Sequence, residues 1–467
     1  MNLERFIAAL GPGEVLQRAP VDVLELAYDT RAVRPGTLFF AVRGTHADGH
    51  ELAPQAAAAG AVALVVERPL AVELPQLVVP DTRAAMAPAA TLFFGDPTRE
   101  LAVAGVTGTN GKTTTAFLLH AILRAAGRRP GLLTNIERRV GGEPQPLGLN
   151  TPEAIDSQRL FRRMLDEGDE SCVMEATSIA QAEGRLAGTR FAVLVFTNLT
   201  PDHLDYHGSM EDYFAAKRAL FAQAERAVVN VGDGYGRRLA AELPTAVPFG
   251  PETDLPAGVE LGLRGPFNVR NAAAAAAAAR ALGVDERAIR TGLESVRGVP
   301  GRFETIDEGQ PFAVIVDYAH TPDALQNVLE AARGLADGRL MVVFGAGGDR
   351  DRMKRPLMGR TVAGLADRGI LTSDNPRSED PAAIALDVLG ATRKGELEVV
   401  LDRRAAIERA LEDARAGDVV VIAGRGAEAE QELATGKVAF DDREVAREVL
   451  RRLTASMTMQ ERSRAGS

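Results

Sequence analysis

The stretch Leu101 to Leu118, LAVAGVTGTNGKTTTAFL, restricts what this chain can fold into more than any other. Its apolar start, Leu101 to Val106, reads as a buried parallel strand that breaks at Thr107-Gly108-Thr109-Asn110-Gly111. Lys112 and three threonines follow, and a helical pattern then runs through Phe117, Leu118 and Ile122. Strand, glycine loop, Lys-Thr and helix form the layout of a phosphate-binding loop. Glycines let backbone N–H groups turn toward a polyphosphate, the helix N-terminus adds partial positive charge, and Lys112 adds a full one. Thr113 is placed to offer its hydroxyl to the magnesium that accompanies ATP. The spacing departs from G-x-x-x-x-G-K-[ST], because Val106 stands where the first glycine belongs. The competing reading is a plain strand-to-helix turn with a surface lysine. Gly-Lys-Thr-Thr between the correct flanks favours nucleotide binding.

At 467 residues the chain exceeds what one core supports, so two to three domains are expected. Residues 1–97 read as a small α/β unit, 98–299 as a central unit, 300–454 as a third, and 455–467 as a polar, frayed tail. Composition is that of a globular protein, 46% hydrophobic and 25% charged. A net charge of -10 argues against a general binder of nucleic acid or membrane surface. No apolar stretch is long enough to span a bilayer, so no membrane insertion is expected. The single Cys172 excludes an internal disulfide and fits a reducing compartment. The first residues, MNLERFIAAL, carry charge where a signal peptide is apolar. A cytoplasmic enzyme is the expectation.

In the central unit, short apolar runs end in polar residues. Ser171 to Met174 ends in Glu175, and Phe191 to Phe196 in Thr197-Asn198. The third unit repeats this: Ala313 to Val316 ends in Asp317, and Leu340 to Phe344 in Gly345-Ala346-Gly347-Gly348. Arg368 to Thr372 ends in Asp374-Asn375-Pro376-Arg377, and Asp418 to Ile422 in Gly424-Arg425-Gly426. Alternating strands and helices imply parallel sheets covered on both faces, with ligands outside the carboxyl ends of the strands. Glu175, Asn198 and the phosphate loop then share one end.

TNLTPDHLDYH, Thr197 to His207, packs two histidines and two aspartates together. His203 suits a metal near ATP phosphates. A four-ligand zinc site is unattractive without thiols, and a polar loop with capping aspartates remains open. Lys217 lies four residues from Tyr213 on one helical face. By residue type alone it reads as a solvated surface group.

Together TGTNGKTTT, MEATS, FTNLTPDHLDYHG, Tyr213 to Lys217, GVPGRFE, VDYAHTPDAL, FGAGGDRDRMKRP and DNPR occur in one order. The set resembles the Mur ligase family of peptidoglycan synthesis, in its diaminopimelate-adding type, from about Asp29 to Arg443. The resemblance implies an α/β fold in three domains. The first binds a UDP-sugar, the central P-loop parallel-sheet domain binds ATP, and a Rossmann-like C-terminal domain binds the incoming amino acid. The implied reaction is ATP-dependent addition of meso-diaminopimelate to UDP-N-acetylmuramoyl-L-alanyl-D-glutamate through an acyl phosphate, with two magnesium ions and a monomeric enzyme.

Carried over by residue, Gly108, Thr109, Asn110, Gly111, Lys112, Thr113 and Thr114 hold phosphates. Asn268 and Asn271 lie by the adenine, and Arg302 and Asp317 close over the nucleotide. Thr113, Glu175, His203 and Lys217 match metal-site residues, Lys217 as the lysine that the family carbamylates. Lys112, Glu175, His203 and Lys217 make the catalytic set. Thr30, Thr45, His46, Ala47, Asn150, Thr151, Thr177, Glu183 and Arg185 fall at UDP-substrate positions. Arg350, Asp374, Asn375, Arg377, Gly424 and Glu428 fall at amino-acid positions. In the family, DNPR marks diaminopimelate-adding members. An Arg makes a fork-like contact with the distal carboxylate that lysine lacks, and Glu428 would receive the distal ammonium.

Several positions depart from the family pattern. Asn150 replaces a Thr, Ile179 a His, Glu183 a Gln and Ala427 a His, and the segment from Phe249 to Phe267 is short. They bear on the acceptor, and motivate an alternative ligase using another amino acid, such as L-lysine, or another carboxylate. A nucleotide-binding module without catalysis is the third reading. Retention of Lys112, Glu175, His203 and Lys217 together argues against it.

Overall fold

The strand ahead of the glycine loop, Ala102–Thr107, lies inside an eight-stranded sheet. Phe191–Phe196 flanks it on one side and Ser171–Glu175 on the other, both parallel. The computed structural model describes all residues except 45, 46, 251–253, 466 and 467. In spatial order the central sheet runs Val247–Phe249, Ala227–Asn230, Phe191–Phe196, Ala102–Thr107, Ser171–Glu175 and Pro130–Leu133, and ends in the short antiparallel strands Arg138–Val140 and Glu143–Pro144. Side chains of the parallel core strands point into helices on both faces, which is why these runs are apolar without alternation. Among the described residues no strand lies between Val247–Phe249 and the helix Pro266–Ala281.

The helix Lys112–Ala125, which begins at the glycine loop, packs against Pro266–Ala281 and Glu286–Ser295. Ala272 to Ala279 are all buried there. Small side chains let helix axes approach closely, so an alanine run that looks featureless in sequence is a buried helix-packing face.

The first sheet orders Glu14–Leu16, Gln76–Val78, Ala61–Val66, Thr37–Phe40 and Glu25–Ala27, antiparallel only at its first pair. The third sheet runs Glu304–Ile306, Ala313–Asp317, Val419–Ala423, Leu340–Phe344, Arg368–Leu371 and Leu397–Val399, with the first strand antiparallel. A separate hairpin, Glu430–Leu433 with Gly436–Ala439, follows it. The tail expected to fray from residue 455 instead continues the helix Asp442–Ala465. Val445, Ala446, Val449 and Leu450 bury its first turns against the third sheet, and no Gly or Pro interrupts it before Gly466. Once a packed turn nucleates a helix, each further residue costs little.

The same helix start holds a buried ion pair: Arg403 Nη2 donates to Asp442 Oδ2 at 2.6 Å, and both side chains are nearly inaccessible. Asp442→Ala leaves that guanidinium uncompensated in low dielectric. It is expected to cost about 3–5 kcal/mol of unfolding free energy, read as a lowered urea midpoint for the third unit.

Candidate active site

A cavity of about 850 Å³ lies between the central and third units at the carboxyl ends of their strands. It brings Lys112, Glu175, His203 and Lys217 together. Gly108 lines up the loop with a φ of +146°, and a Cβ there would collide with Thr197 Oγ1, so only glycine fits. Gly108→Ala is expected to reduce nucleotide affinity at least about 10-fold, measurable by titration with a fluorescent ATP analogue.

Lys112 Nζ donates to the carbonyls of Gly108 (3.0 Å) and Thr109 (2.7 Å), folded back over its own loop. Lys217 Nζ donates to the same Gly108 carbonyl at 2.9 Å and sits 4.7 Å over the Tyr213 ring. Lys217 is therefore buried, not the solvated residue its type alone suggests. Burial, and next the Lys112 ammonium, hold its amine well below the ordinary lysine range. Tyr213 OH lies 3.2 Å from Thr109 Oγ1 and ties the helix bearing Lys217 to the loop.

Thr113 Oγ1 donates to Glu175 Oε1 at 2.8 Å, a paired hydroxyl and carboxylate at the strand end. Arg302 Nη2 reaches across from the third unit to Thr113 Oγ1 at 3.0 Å, its guanidinium 4.3 Å over Tyr318. Asp317 accepts from the backbone N–H of Phe303 (2.6 Å) and of Ala319 (2.7 Å), which fixes the turn carrying Arg302. His203 has a left-handed φ of +54° and lies 3.4 Å from Asp202 through Nε2. Burial lowers its pKa to about 3, against the pull of Asp202, so the imidazole is neutral at pH 7. Lys354 of the third unit donates to Asp202 at 3.1 Å, and Asn110 Nδ2 to Asp323 at 2.8 Å. With Arg302, these contacts close the third unit onto the central one.

Asn271 Oδ1 packs beneath Gly111, and Asn271 Nδ2 donates to Asn268 Oδ1 at 3.1 Å; of the two, Asn271 lines the cavity. On the acceptor side, Thr151 and Thr177 share a 3.1 Å hydroxyl contact, and Thr151 Oγ1 donates to the Glu175 carbonyl at 3.0 Å. Asn150 turns its Nδ2 to Glu175 Oε2 at 3.3 Å, so the departure there touches the proposed metal carboxylate. Glu183 does not stand uncompensated, because it pairs with Arg185. Among the described residues the cavity takes no lining from residues 1–97, so Thr30 and Ala47 lie apart from it. Thr45 and His46 lie outside the described residues.

Of the amino-acid set, Arg350 lines the cavity. Behind it, the Asp374–Arg377 turn locks onto the glycine loop after Leu340–Phe344. Gly348 N–H donates to the Asn375 carbonyl at 2.9 Å, and Arg377 Nη1 to the Gly348 carbonyl at 2.7 Å. A Cβ on Gly348 would collide with the Pro376 carbonyl. Asn375 Nδ2 donates to Glu428 Oε2 at 2.8 Å. Burial, and next Asp374, raise the Glu428 pKa. Gly424 sits against Asp374 Oδ2, and its N–H donates to the Asp317 carbonyl at 3.0 Å.

Among the described residues no three His, Cys, Asp or Glu side chains gather as a metal cage. Magnesium needs no such cage, since it keeps waters and phosphate oxygens and takes one or two protein oxygens. Thr113 with Glu175 fits that demand. Around His203 and Lys217 the fit requires Lys217 to become an anion, because an ammonium or amine bonded to Gly108 is no oxygen ligand.

Five partners carry this arrangement that sequence reading left out of the site: Asn135, Asp202, His320, Asp323 and Lys354. Asn135 N–H donates to Glu175 at 3.3 Å, and His320 Nε2 lies 3.8 Å from Asp202. Asp202, His320, Asp323 and Lys354 stood inside quoted motifs, but only closure of the two units shows what each touches. Asn135 carried no signal.

A phosphate loop on a parallel sheet, closed by a second α/β unit bearing cationic and amide side chains, is the arrangement of an ATP-dependent ligase. The chain belongs to the Mur ligase family. The Mur ligase middle domain matches residues 106–254, the Mur ligase glutamate ligase domain residues 301–426, and the Mur ligase family catalytic domain residues 23–101. A UDP-N-acetylmuramoyl-L-alanyl-D-glutamate–2,6-diaminopimelate ligase of Solibacter usitatus is 46% identical, across 97% of this chain and 98% of that protein. One of Geobacillus thermodenitrificans is 45% identical, across 96% and 99%. A solved structure of a ligase of the same name superposes with a TM-score of 0.61 at 32% identity, covering 92% of this chain and 95% of that one.

Proposed function

We propose that this ligase adds meso-diaminopimelate to UDP-N-acetylmuramoyl-L-alanyl-D-glutamate at the expense of ATP. One observation carries the reading: the phosphate loop, Thr113 and Glu175 share a single cavity with Arg350, the member of the amino-acid set that lines it. An ATP site and a site with cations for carboxylates therefore meet where a phosphorylated acid could be captured by an amine. The units 1–97, 98–299 and 300–454 are assigned to the UDP-sugar, ATP and amino acid. All these groups come from one chain, so a monomer suffices. ATP as substrate and the single buried thiol favour the cytoplasm.

A carboxylate is a poor electrophile, so the glutamyl side chain first takes the terminal phosphoryl group. An oxygen–phosphorus bond forms and the bond to ADP breaks. The incoming amine then attacks the acyl carbon, phosphate departs with the C–O electron pair, and the nitrogen loses its proton. Lys112 exchanges loop carbonyls for phosphate oxygens, and Arg302 meets the transferring group from the opposite side. Thr113 and Glu175 would hold one magnesium ion, and His203 with carbamylated Lys217 a second. When bound, such ions offset the charge of the transferring phosphoryl group. Neutral His203 suits that role, held by Asp202.

The test is phosphate release with ATP, UDP-N-acetylmuramoyl-L-alanyl-D-glutamate and either meso-diaminopimelate or L-lysine. Turnover with diaminopimelate and at least about 100-fold less kcat/KM with lysine is expected, the scale of one lost charge-assisted contact. Equal use of the two would overturn the amino-acid assignment. No turnover with either would overturn the reaction.

A further inference from the structure

Behind the cavity, the hairpin Glu430–Leu433/Gly436–Ala439 grips the Asp374–Arg377 turn at four points, three of them through one residue. The Glu432 N–H donates to Asn375 Oδ1 at 2.9 Å, and the Glu432 carbonyl accepts from the Arg377 N–H at 3.0 Å. Its carboxylate accepts from Arg377 Nε at 2.7 Å. Buried Gln431 adds the fourth, donating from Nε2 to the Asp374 carbonyl at 2.6 Å. Arg377 itself has a left-handed φ of +52°, a backbone state an arginine leaves unless its surroundings hold it.

The guanidinium is thus fixed on two sides, by Glu432 at Nε and by the Gly348 carbonyl at Nη1. Its Nη2 makes no hydrogen bond among the described residues. That leaves Nη2, with the N–H of Nη1 not given to Gly348, to donate to a carboxylate ligand. Glu428, the anion of the subsite, is bonded to Asn375 and has Arg425 Nε 3.8 Å from its carboxylate.

We propose that the hairpin is the template of the distal-carboxylate subsite, and that Glu432 is the positioning residue that orients the Arg377 guanidinium for its ligand. This rests on the assignment of Arg377 to the distal carboxylate. Glu432 touches no reacting atom. It selects substrate by orientation: a lysine, with no distal carboxylate, gains nothing from the held arginine.

The experiment is steady-state kinetics on Glu432→Ala, Glu432→Gln, Arg377→Ala and the Glu432→Ala/Arg377→Ala double variant, with diaminopimelate varied and ATP and UDP-dipeptide saturating. Glu432→Ala is expected to raise the diaminopimelate KM about 10-fold and to narrow the preference over lysine. Its kcat and ATP KM should stay within about twofold. Glu432→Gln keeps an acceptor for Nε and is expected to restore most of the loss. On the Arg377→Ala background, Glu432→Ala is expected to add nothing, since neighbours acting through one contact are non-additive. A diaminopimelate KM unchanged or lowered in Glu432→Ala, or the same 10-fold effect recurring without Arg377, would overturn the template. An unchanged KM in Arg377→Ala would instead overturn the underlying carboxylate assignment, and the template with it.

Discussion

Lys217→Ala is expected to lower phosphate release about 100- to 1,000-fold, the range for removing one preorganised charge at a reaction centre, with partial recovery on adding formate or acetate. The residue is buried between the Gly108 carbonyl at 2.9 Å and the Tyr213 ring at 4.7 Å, and the Lys112 ammonium lies nearby. An unmodified lysine there adds a second positive charge where the first already suffices, and desolvation opposes it. A carbamate keeps the N–H that Gly108 accepts and replaces the cation by two anionic oxygens facing the cavity. Short carboxylates reproduce those oxygens once the side chain is gone. Lys217→Arg, which retains a cation and offers no amine to carbon dioxide, is expected to be equally impaired and not rescued. Unchanged turnover in Lys217→Ala would dismiss the carbamate.

Arg377→Ala is expected to raise the diaminopimelate KM about 100-fold, the scale for truncating one partner of a shielded ion contact, while the ATP KM stays within about twofold. The separation follows from position. Arg377 is tied to Gly348 and Glu432, whereas at the phosphate loop Lys112 bonds to the Gly108 carbonyl and Arg302 to Thr113. Lysine turnover, already low, is expected to change little, so the preference collapses from the diaminopimelate side. Equal loss in diaminopimelate and ATP use would show that Arg377 supports the closed arrangement rather than the substrate.

Much of the site was legible because it is built locally. A glycine-rich turn and a helix starting at Lys112 are written in neighbouring residues, and so Gly108 to Thr114 stood out. Strands such as Phe191–Phe196 and Leu340–Phe344 begin and end where their apolar runs do, because both faces are covered. The polar tail misled, since composition is silent on whether a helix already nucleated by Val445 to Leu450 will stop. Glu183 shows another limit: its charge is visible in sequence, and its pairing with Arg185 only in the fold.

By itself the sequence determined the α/β class, the phosphate loop and the residue types needed for acid activation, because each depends on short-range backbone geometry or side-chain chemistry. Tertiary structure alone decided that Lys217 is buried beside Lys112, that Arg302 and Asp323 cross to the phosphate loop and Lys354 to Asp202, and that a hairpin holds Arg377. Those facts are distances between segments far apart in the chain, set by how sheets and helices pack, and no periodicity encodes them.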